Sequence, residues 1–230
     1  MLLEVPTCNR GAFSYKYARQ VAMLINTEPT YLLEQYLRLR PVHKGLIFDL
    51  DGTLVNSMPL HMVSWNTAIR KFGGTFQFDA ISFMQVAGVG GRHTIEFINQ
   101  KYHQSLPAEE TVHDKELIYQ ASIPLIKIIP EVMGIALEAN RMGIPCAVAS
   151  GGRRDNVHQT LEVVGQTHLF KAIVSQNDVL RSKPAPDIFL LAAEKMGVLA
   201  GDCIVFEDSP LGIQAAHTAG MQSVQIPSLL

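Results

Sequence analysis

Two aspartates, Asp49 and Asp51, stand one residue apart at the end of an apolar run and are followed by a glycine, in GLIFDLDGT (45–53). Two carboxylates this close repel each other, and each resists ionisation unless a cation lies nearby. A divalent cation removes this difficulty, and Mg²⁺ is the usual one where water and phosphate supply further ligands. We interpret the pair as a cation site that receives a phosphate, although Asp-Gly alone is also a common turn dipeptide.

Further polar residues follow other apolar runs of the chain. Glu207 and Asp208 follow CIVF (203–206), and Ser150 with Gly151 follows CAVA (146–149). Lys183 stands beside a proline in RSKPAPD; a lone lysine is usually a solvated surface group, but the proline restricts this loop. We predict that Asp49, Asp51, Glu207 and Asp208 form a metal site. The hydroxyl and backbone N–H groups after 146–149 would point at an anion, as at other helix starts that bind anions.

The elements that must position these residues are read from the apolar pattern. Five short apolar runs predict buried parallel strands, at 46–50, 145–149, 172–175, 203–206 and 223–226. Helical periodicity follows them, for example over Asp187–Met196 behind Pro186, so an α/β fold is expected. Ligands of such sheets bind beyond the carboxyl ends of the strands, where all the residues above lie.

The segment 59–124 interrupts this alternation, because it contains helical patterns such as 60–72 and 94–102 and no convincing strand. We predict an inserted helical domain at 59–124, a core formed by 44–58 and 125–230, and an N-terminal extension of unknown role at 1–43. Within that extension, Leu32, Leu33, Tyr36 and Leu37 share one face of a predicted amphipathic segment.

Composition excludes several classes of function. The formal net charge is −2 without a basic block, which argues against nucleic-acid binding. Three scattered cysteines argue against a disulfide framework and structural zinc. The sequence contains no apolar run long enough for a membrane span. We expect a cytoplasmic monomer.

Taken together, the motifs DLDGT (49–53), ASGG (149–152), KPAPD (183–187) and FEDS (206–209) resemble, in this order, the four motifs of the haloacid dehalogenase superfamily of phosphotransferases. The resemblance covers about 45 to the C-terminus. The helical insert is similar to the small cap of the subfamily that includes β-phosphoglucomutase and the fructose-1-phosphate phosphatases, and 183–221 looks closest to the latter branch. This implies a doubly wound parallel sheet with a helical-bundle cap. Asn56 departs from the family, which commonly has aspartate at this position.

The resemblance implies a role for each core residue. Asp49 would attack phosphorus and form an aspartyl phosphate, and Asp51 would donate a proton to the leaving oxygen and later accept one from water. Mg²⁺ would be held by Asp49, Asp208 and the backbone carbonyl of Asp51, with Glu207 as a ligand or supporting partner. Ser150, Gly151 and Lys183 would hold the remaining phosphoryl oxygens.

Three further residues resemble cap residues that face the substrate: Arg92 in VAGVGGRHT (86–94), Lys115 and His61. Each of the two cations could equally be a solvated surface charge, and His61 could be a packed helix residue. We predict that all three contact the substrate.

The leading hypothesis is an Mg²⁺-dependent phosphatase that acts on a small sugar phosphate, of the fructose 1-phosphate or 6-phosphogluconate type. A β-phosphoglucomutase-type phosphomutase would use the same residues, although Thr53 slightly favours the phosphatase. A catalytically silent phosphosugar-binding protein is the third possibility. Dehalogenation has no leaving phosphate to neutralise, so Asp51 and Asp208 argue against it.

Overall fold

A five-stranded parallel sheet forms the centre of the computed structural model, which describes residues 43–86 and 88–228. The strands are β1 Gly45–Phe48, β2 Cys146–Ala149, β3 Ala172–Val174, β4 Cys203–Glu207 and β5 Gln222–Gln225. Their order is β3-β2-β1-β4-β5. The five predicted strands are confirmed, with bounds that differ by one or two residues. The predicted N-terminal amphipathic segment lies outside the described residues.

The described part of the chain contains eight α-helices, which lie on both faces of the sheet and in one insertion. They are α1 Met58–Lys71, α2 Ala80–Met84, α3 Gly91–Lys101, α4 Ala108–Ser122, α5 Pro130–Arg141, α6 Arg154–Val163, α7 Asp187–Met196 and α8 Pro210–Thr218. No helix within the described ranges is long and apolar enough to cross a membrane.

Alternate residues of each central strand point to opposite faces, as the strand period requires. In β1, Leu46 and Phe48 pack in a cluster with α5 and α6. Ile47 points to the other face and packs in a cluster with α7 and α8. The sheet is therefore doubly wound, as predicted.

Strand register brings the polar strand ends together. Leu46 of β1 pairs with Cys146 of β2 on one side and with Ile204 of β4 on the other. The residues that follow these three strands therefore emerge at one edge of the sheet, and the functional residues found there come from distant parts of the chain.

Helices α1–α4 form the inserted cap between β1 and β2. Their own apolar cluster includes Trp65, Ile69, Ile95 and Ile98. The C-terminal part of α4 departs from this arrangement, because Tyr119 packs in the cluster that also contains Leu46 and Phe48 of the sheet. Helix α4 thus joins the cap to the core, and the domain bounds proposed from sequence stay a prediction.

Candidate active site

The carboxyl end of β1 presents Asp49 to a buried lysine. Lys183 Nζ donates hydrogen bonds to Asp49 Oδ1 at 2.6 Å and to Glu207 Oε2 at 2.7 Å. All three side chains are buried. Burial alone would lower the pKa of Lys183, but the two carboxylates outweigh it and raise that pKa above its ordinary value. Lys183 therefore stays charged and links the ends of β1 and β4.

Glu207 is held in place from its other side. Its Oε1 atom accepts hydrogen bonds from the backbone N–H of Ser209 at 3.1 Å and from the Ser209 hydroxyl at 2.7 Å. Gly212, in the first turn of α8, leaves room for this carboxyl group, because a Cβ atom there would lie 2.0 Å from Glu207 Cδ. A glycine at this position is required by the close approach of the acid to the helix.

Three buried carboxylates, those of Asp49, Glu207 and Asp208, lie with one oxygen each within 4.8 Å of one another. Burial and the neighbouring Glu207 raise the pKa of Asp208 to about 8 and raise that of Asp49 well above its ordinary value. Lys183 supplies only one positive charge to this cluster. Closely spaced carboxylate oxygens in need of further positive charge suit a hard divalent cation such as Mg²⁺.

The turn after β1 also leaves space beside this cluster. Gly52 has a φ of +83°, and a Cβ atom there would lie 2.2 Å from Asp208 Oδ2. A larger residue would meet both the backbone strain of a positive φ and this carboxyl group.

Asp51 lies beside the three acids, but its carboxyl group is hydrogen-bonded to other residues. Its Oδ1 accepts hydrogen bonds from the hydroxyls of Ser57 at 2.6 Å and Tyr119 at 3.1 Å, and His61 Nε2 lies 3.3 Å away. Burial would raise the pKa of Asp51, but His61 and the two hydroxyls more than offset this and lower it. Asp51 is thus an anion with one heavily hydrogen-bonded oxygen.

The end of β2 brings the predicted phosphate-binding loop to Asp51. Ser150 Oγ accepts a hydrogen bond from the backbone N–H of Gly152 at 2.9 Å and lies 3.5 Å from Asp51 Oδ2. Gly151 lines the cavity described below, whereas Ser150 is buried and is not among the residues that line it.

A cavity of about 270 Å³ opens between the cap and the carboxyl edge of the sheet. Asp49, Asp51, Lys183, Glu207 and Asp208 line its floor.

Lys115 and His61 line the cap side of the cavity, and their contact with the substrate stays a prediction. Lys115 Nζ pairs with Glu116 Oε1 at 2.8 Å and lies 5.4 Å from the centre of the Trp65 ring. Burial and the nearby Lys115 lower the pKa of His61, which favours the neutral imidazole.

Arg92 is the one of the three predicted cap residues that the fold does not bring to this cavity. It is 60% exposed at the start of α3, where it pairs with Glu96 at 3.4 Å and with Glu109. It is absent from the residues that line the cavity. Its predicted contact with substrate is therefore less well supported than that of Lys115.

Sequence reasoning did not single out Ser57, Tyr119, Glu116 or Asn156. The last two join cap to core, since Asn156 Nδ2 donates a hydrogen bond to Glu116 Oε2 at 2.9 Å. Tyr119 had a usable signal, because it lies four residues after Lys115 and so shares its helix face. The Asn156 contact had none, since it joins two helices that are distant in sequence.

Comparisons with known proteins agree with this geometry. The family model described as haloacid dehalogenase-like hydrolase matches residues 46–226. Fructose-1-phosphate phosphatase YqaB of Escherichia coli is 32% identical over 185 residues, which are 80% of this chain and 96% of that protein. β-Phosphoglucomutase of Bacillus subtilis is 27% identical over 191 residues, which are 80% of this chain and 83% of that protein.

Solved structures give the same result. The crystal structure of a CbbY mutant from Rhodobacter sphaeroides, in complex with xylulose 1,5-bisphosphate, has a TM-score of 0.72 and 26% identity. The similarity covers 81% of this chain and 87% of that one. Together with the family match over most of the sequence, this confirms the resemblance carried by the four motifs. The chain belongs to the haloacid dehalogenase-like hydrolases, in the subfamily that includes β-phosphoglucomutase.

Proposed function

We propose that this hydrolase is an Mg²⁺-dependent phosphatase that cleaves a small sugar phosphate through an aspartyl-phosphate intermediate. One observation carries the proposal: Lys183 joins buried Asp49 and Glu207 on the floor of a cavity that also exposes Asp51. Such a group of charges suits a phosphoryl group, since its transfer depends mainly on positioning and electrostatic stabilisation.

The chain's own residues account for both steps of the reaction. A carboxylate oxygen of Asp49 forms a bond to phosphorus while the bond to the ester oxygen breaks. Asp51, an anion before substrate binds, takes up a proton on Oδ2 from solvent as the negatively charged phosphate enters, and gives that proton to the departing ester oxygen. Water then attacks phosphorus, Asp51 takes the water proton, and the bond between Asp49 and phosphorus breaks. Lys183 neutralises charge on the phosphoryl oxygens, and Ser150 and Gly151 fix their position.

The proposed Mg²⁺ site consists of Asp49, Asp208 and the backbone carbonyl of Asp51, with Glu207 as a ligand or supporting partner. When bound, Mg²⁺ would neutralise negative charge on the transferred group. The three crowded carboxylates support this choice of cation.

The cavity and the relatives support a sugar phosphate as substrate. Lys115, Asn156, Gln176 and Ser182 line the cavity and offer polar groups to sugar hydroxyls. The similarity to a fructose-1-phosphate phosphatase supports fructose 1-phosphate as a first candidate, with 6-phosphogluconate as the alternative.

A sugar phosphomutase is the second candidate, favoured by the similarity to β-phosphoglucomutase. It would use the same residues but return the phosphoryl group to sugar rather than to water. A mutase needs a catalytic amount of sugar bisphosphate, whereas a phosphatase releases inorganic phosphate without it.

The test is phosphate release from fructose 1-phosphate, 6-phosphogluconate and β-glucose 1-phosphate, each with Mg²⁺ and with chelator. We expect Mg²⁺-dependent release from one sugar well above the others, and none from the Asp49→Asn variant. Release by this variant would contradict the nucleophile assignment. If no sugar releases phosphate, isomerisation of β-glucose 1-phosphate with added bisphosphate would identify a mutase, and binding without turnover would identify a silent binder. A cytoplasmic location and a monomeric state stay predictions.

A further inference from the structure

Tyr119 of the cap helix α4 reaches the proposed acid–base residue of the core. Its hydroxyl donates a hydrogen bond to Asp51 Oδ1 at 3.1 Å, and the side chain is 2% exposed. Tyr119 also lines the cavity. A buried hydroxyl that meets a carboxylate at this distance restrains the carboxylate directly.

The hydrogen bonds of Asp51 are unequally divided between its two oxygens. The hydroxyls of Ser57 and Tyr119 and the His61 ring all approach Oδ1. Oδ2 lies 3.5 Å from Ser150 Oγ, in the predicted phosphate-binding loop. Oδ2 accepts only this one, longer hydrogen bond, from the Ser150 hydroxyl, so it is the less occupied oxygen and the one available for proton transfer.

Packing holds the Tyr119 hydroxyl at this place. The Tyr119 ring stacks on the His61 ring with centroids 3.7 Å apart, and Lys115 Nζ lies 5.1 Å from its centre. The ring belongs to the apolar cluster of the core, together with Ile123 and Phe48. A ring fixed on several sides leaves its hydroxyl little freedom, so the direction of its hydrogen bond is preorganised.

We infer that Tyr119 is a positioning residue for proton transfer by Asp51: it holds Oδ1 so that Oδ2 faces the ester oxygen of the substrate. This inference rests on the proposed function, in which the proton leaves Oδ2 for the ester oxygen as the P–O bond breaks. Tyr119 exchanges no proton itself. Because α4 belongs to the cap, the cap contributes to the chemical step as well as to substrate choice.

Tyr119→Phe tests the inference, because it removes the hydroxyl and keeps the ring. The substrates are fructose 1-phosphate, or whichever sugar phosphate is hydrolysed fastest, and p-nitrophenyl phosphate, whose leaving group departs as an anion without a proton. The measured quantity is kcat/KM, which reports the steps up to phosphoenzyme formation. We expect kcat/KM for the sugar phosphate to fall about tenfold and that for p-nitrophenyl phosphate to fall less than about twofold.

Tyr102→Phe is the matched control, since Tyr102 caps α3 of the same cap domain and does not line the cavity. We expect it to change neither substrate's kcat/KM. An equal loss on both substrates in Tyr119→Phe, or no loss on either, would refute the positioning role.

Asp51→Asn separates this inference from the proposed function. It should lose activity on the sugar phosphate far more than on p-nitrophenyl phosphate. If Asp51→Asn loses activity equally on the two substrates, the role of Asp51 as the acid is wrong. If Asp51→Asn shows the unequal loss and Tyr119→Phe does not, only the inference about Tyr119 is wrong.

Discussion

Removing either partner of the Lys183–Asp49 pair should abolish turnover, but only the loss of the lysine should destabilise the fold strongly. Lys183→Met leaves Asp49 and Glu207 buried without the ammonium group that both contact. Asp49→Asn removes one of three crowded acids, and the amide oxygen of asparagine can still accept the hydrogen bond from Lys183. The first change removes compensation for buried charge, whereas the second removes repulsion.

The expected magnitudes follow from this difference. Loss of one partner from a buried ion pair costs about 3–5 kcal/mol of the free energy of unfolding. For a chain of this size that is a fall in Tm of roughly 6–20 °C. The lower half of this range is expected for Lys183→Met, because a buried carboxylate without a partner can take up a proton. Asp49→Asn should change the free energy of unfolding by less than about 1 kcal/mol, or Tm by less than about 4 °C.

The assay is thermal unfolding followed by circular dichroism in chelator, with phosphate release measured in parallel with Mg²⁺. Chelator is needed because a bound cation would stabilise the native state and mask the repulsion among the acids. A fall in Tm for Asp49→Asn as large as that for Lys183→Met would refute the reasoning, since it would show that Asp49 stabilises the fold rather than strains it.

Two further predictions concern the neighbourhood of this site. Gly212→Ala should displace the Glu207 carboxyl group, because the added Cβ atom would lie 2.0 Å from Glu207 Cδ, and phosphate release should fall more than about tenfold. Gly201→Ala is the matched control, because a Cβ atom there meets nothing within 4 Å, and it should keep wild-type turnover. Lys115→Ala should raise KM for the sugar phosphate several-fold, whereas Arg92→Ala should leave KM within about twofold, because of these two residues only Lys115 lines the cavity. Equal effects of the two changes in steady-state assays would contradict the assignment of Lys115 to the substrate site.

Much of the fold could be predicted because its signals are local. The strand from Gly45 to Phe48 is an apolar run, and helix Asp187–Met196 begins behind a proline and ends before Gly197, which has a φ of +72°. Runs and start or stop signals of this kind depend only on neighbouring residues. The parallel sheet followed from the rule that short strands alternating with helices form a parallel sheet, whereas the strand order was seen only in the structure.

The core of the site was predictable for a related reason. Asp49, Ser150 and Asp208 each follow a strand directly, and the carboxyl ends of parallel strands share one edge of the sheet. Once the strands were recognised, the meeting of these residues needed no knowledge of side-chain packing.

The cap side of the cavity could not be predicted in this way. Arg92 and Lys115 are both cations on cap helices, yet Arg92 is 60% exposed and Lys115 is 7% exposed at the side chain. Which of them faces the cavity depends on how α3 and α4 pack, and that packing is set by contacts between residues distant in sequence.

By itself, the sequence determined the strands, several of the helices, and the acids and lysine at the strand ends, because each depends on local pattern or on sheet geometry. Only the tertiary structure decided that Tyr119 of the cap forms a hydrogen bond with Asp51 of the core, and that Glu116 forms an ion pair with Lys115. Such contacts join side chains whose positions follow from the packing of whole helices, and this information is absent from any single stretch of the chain.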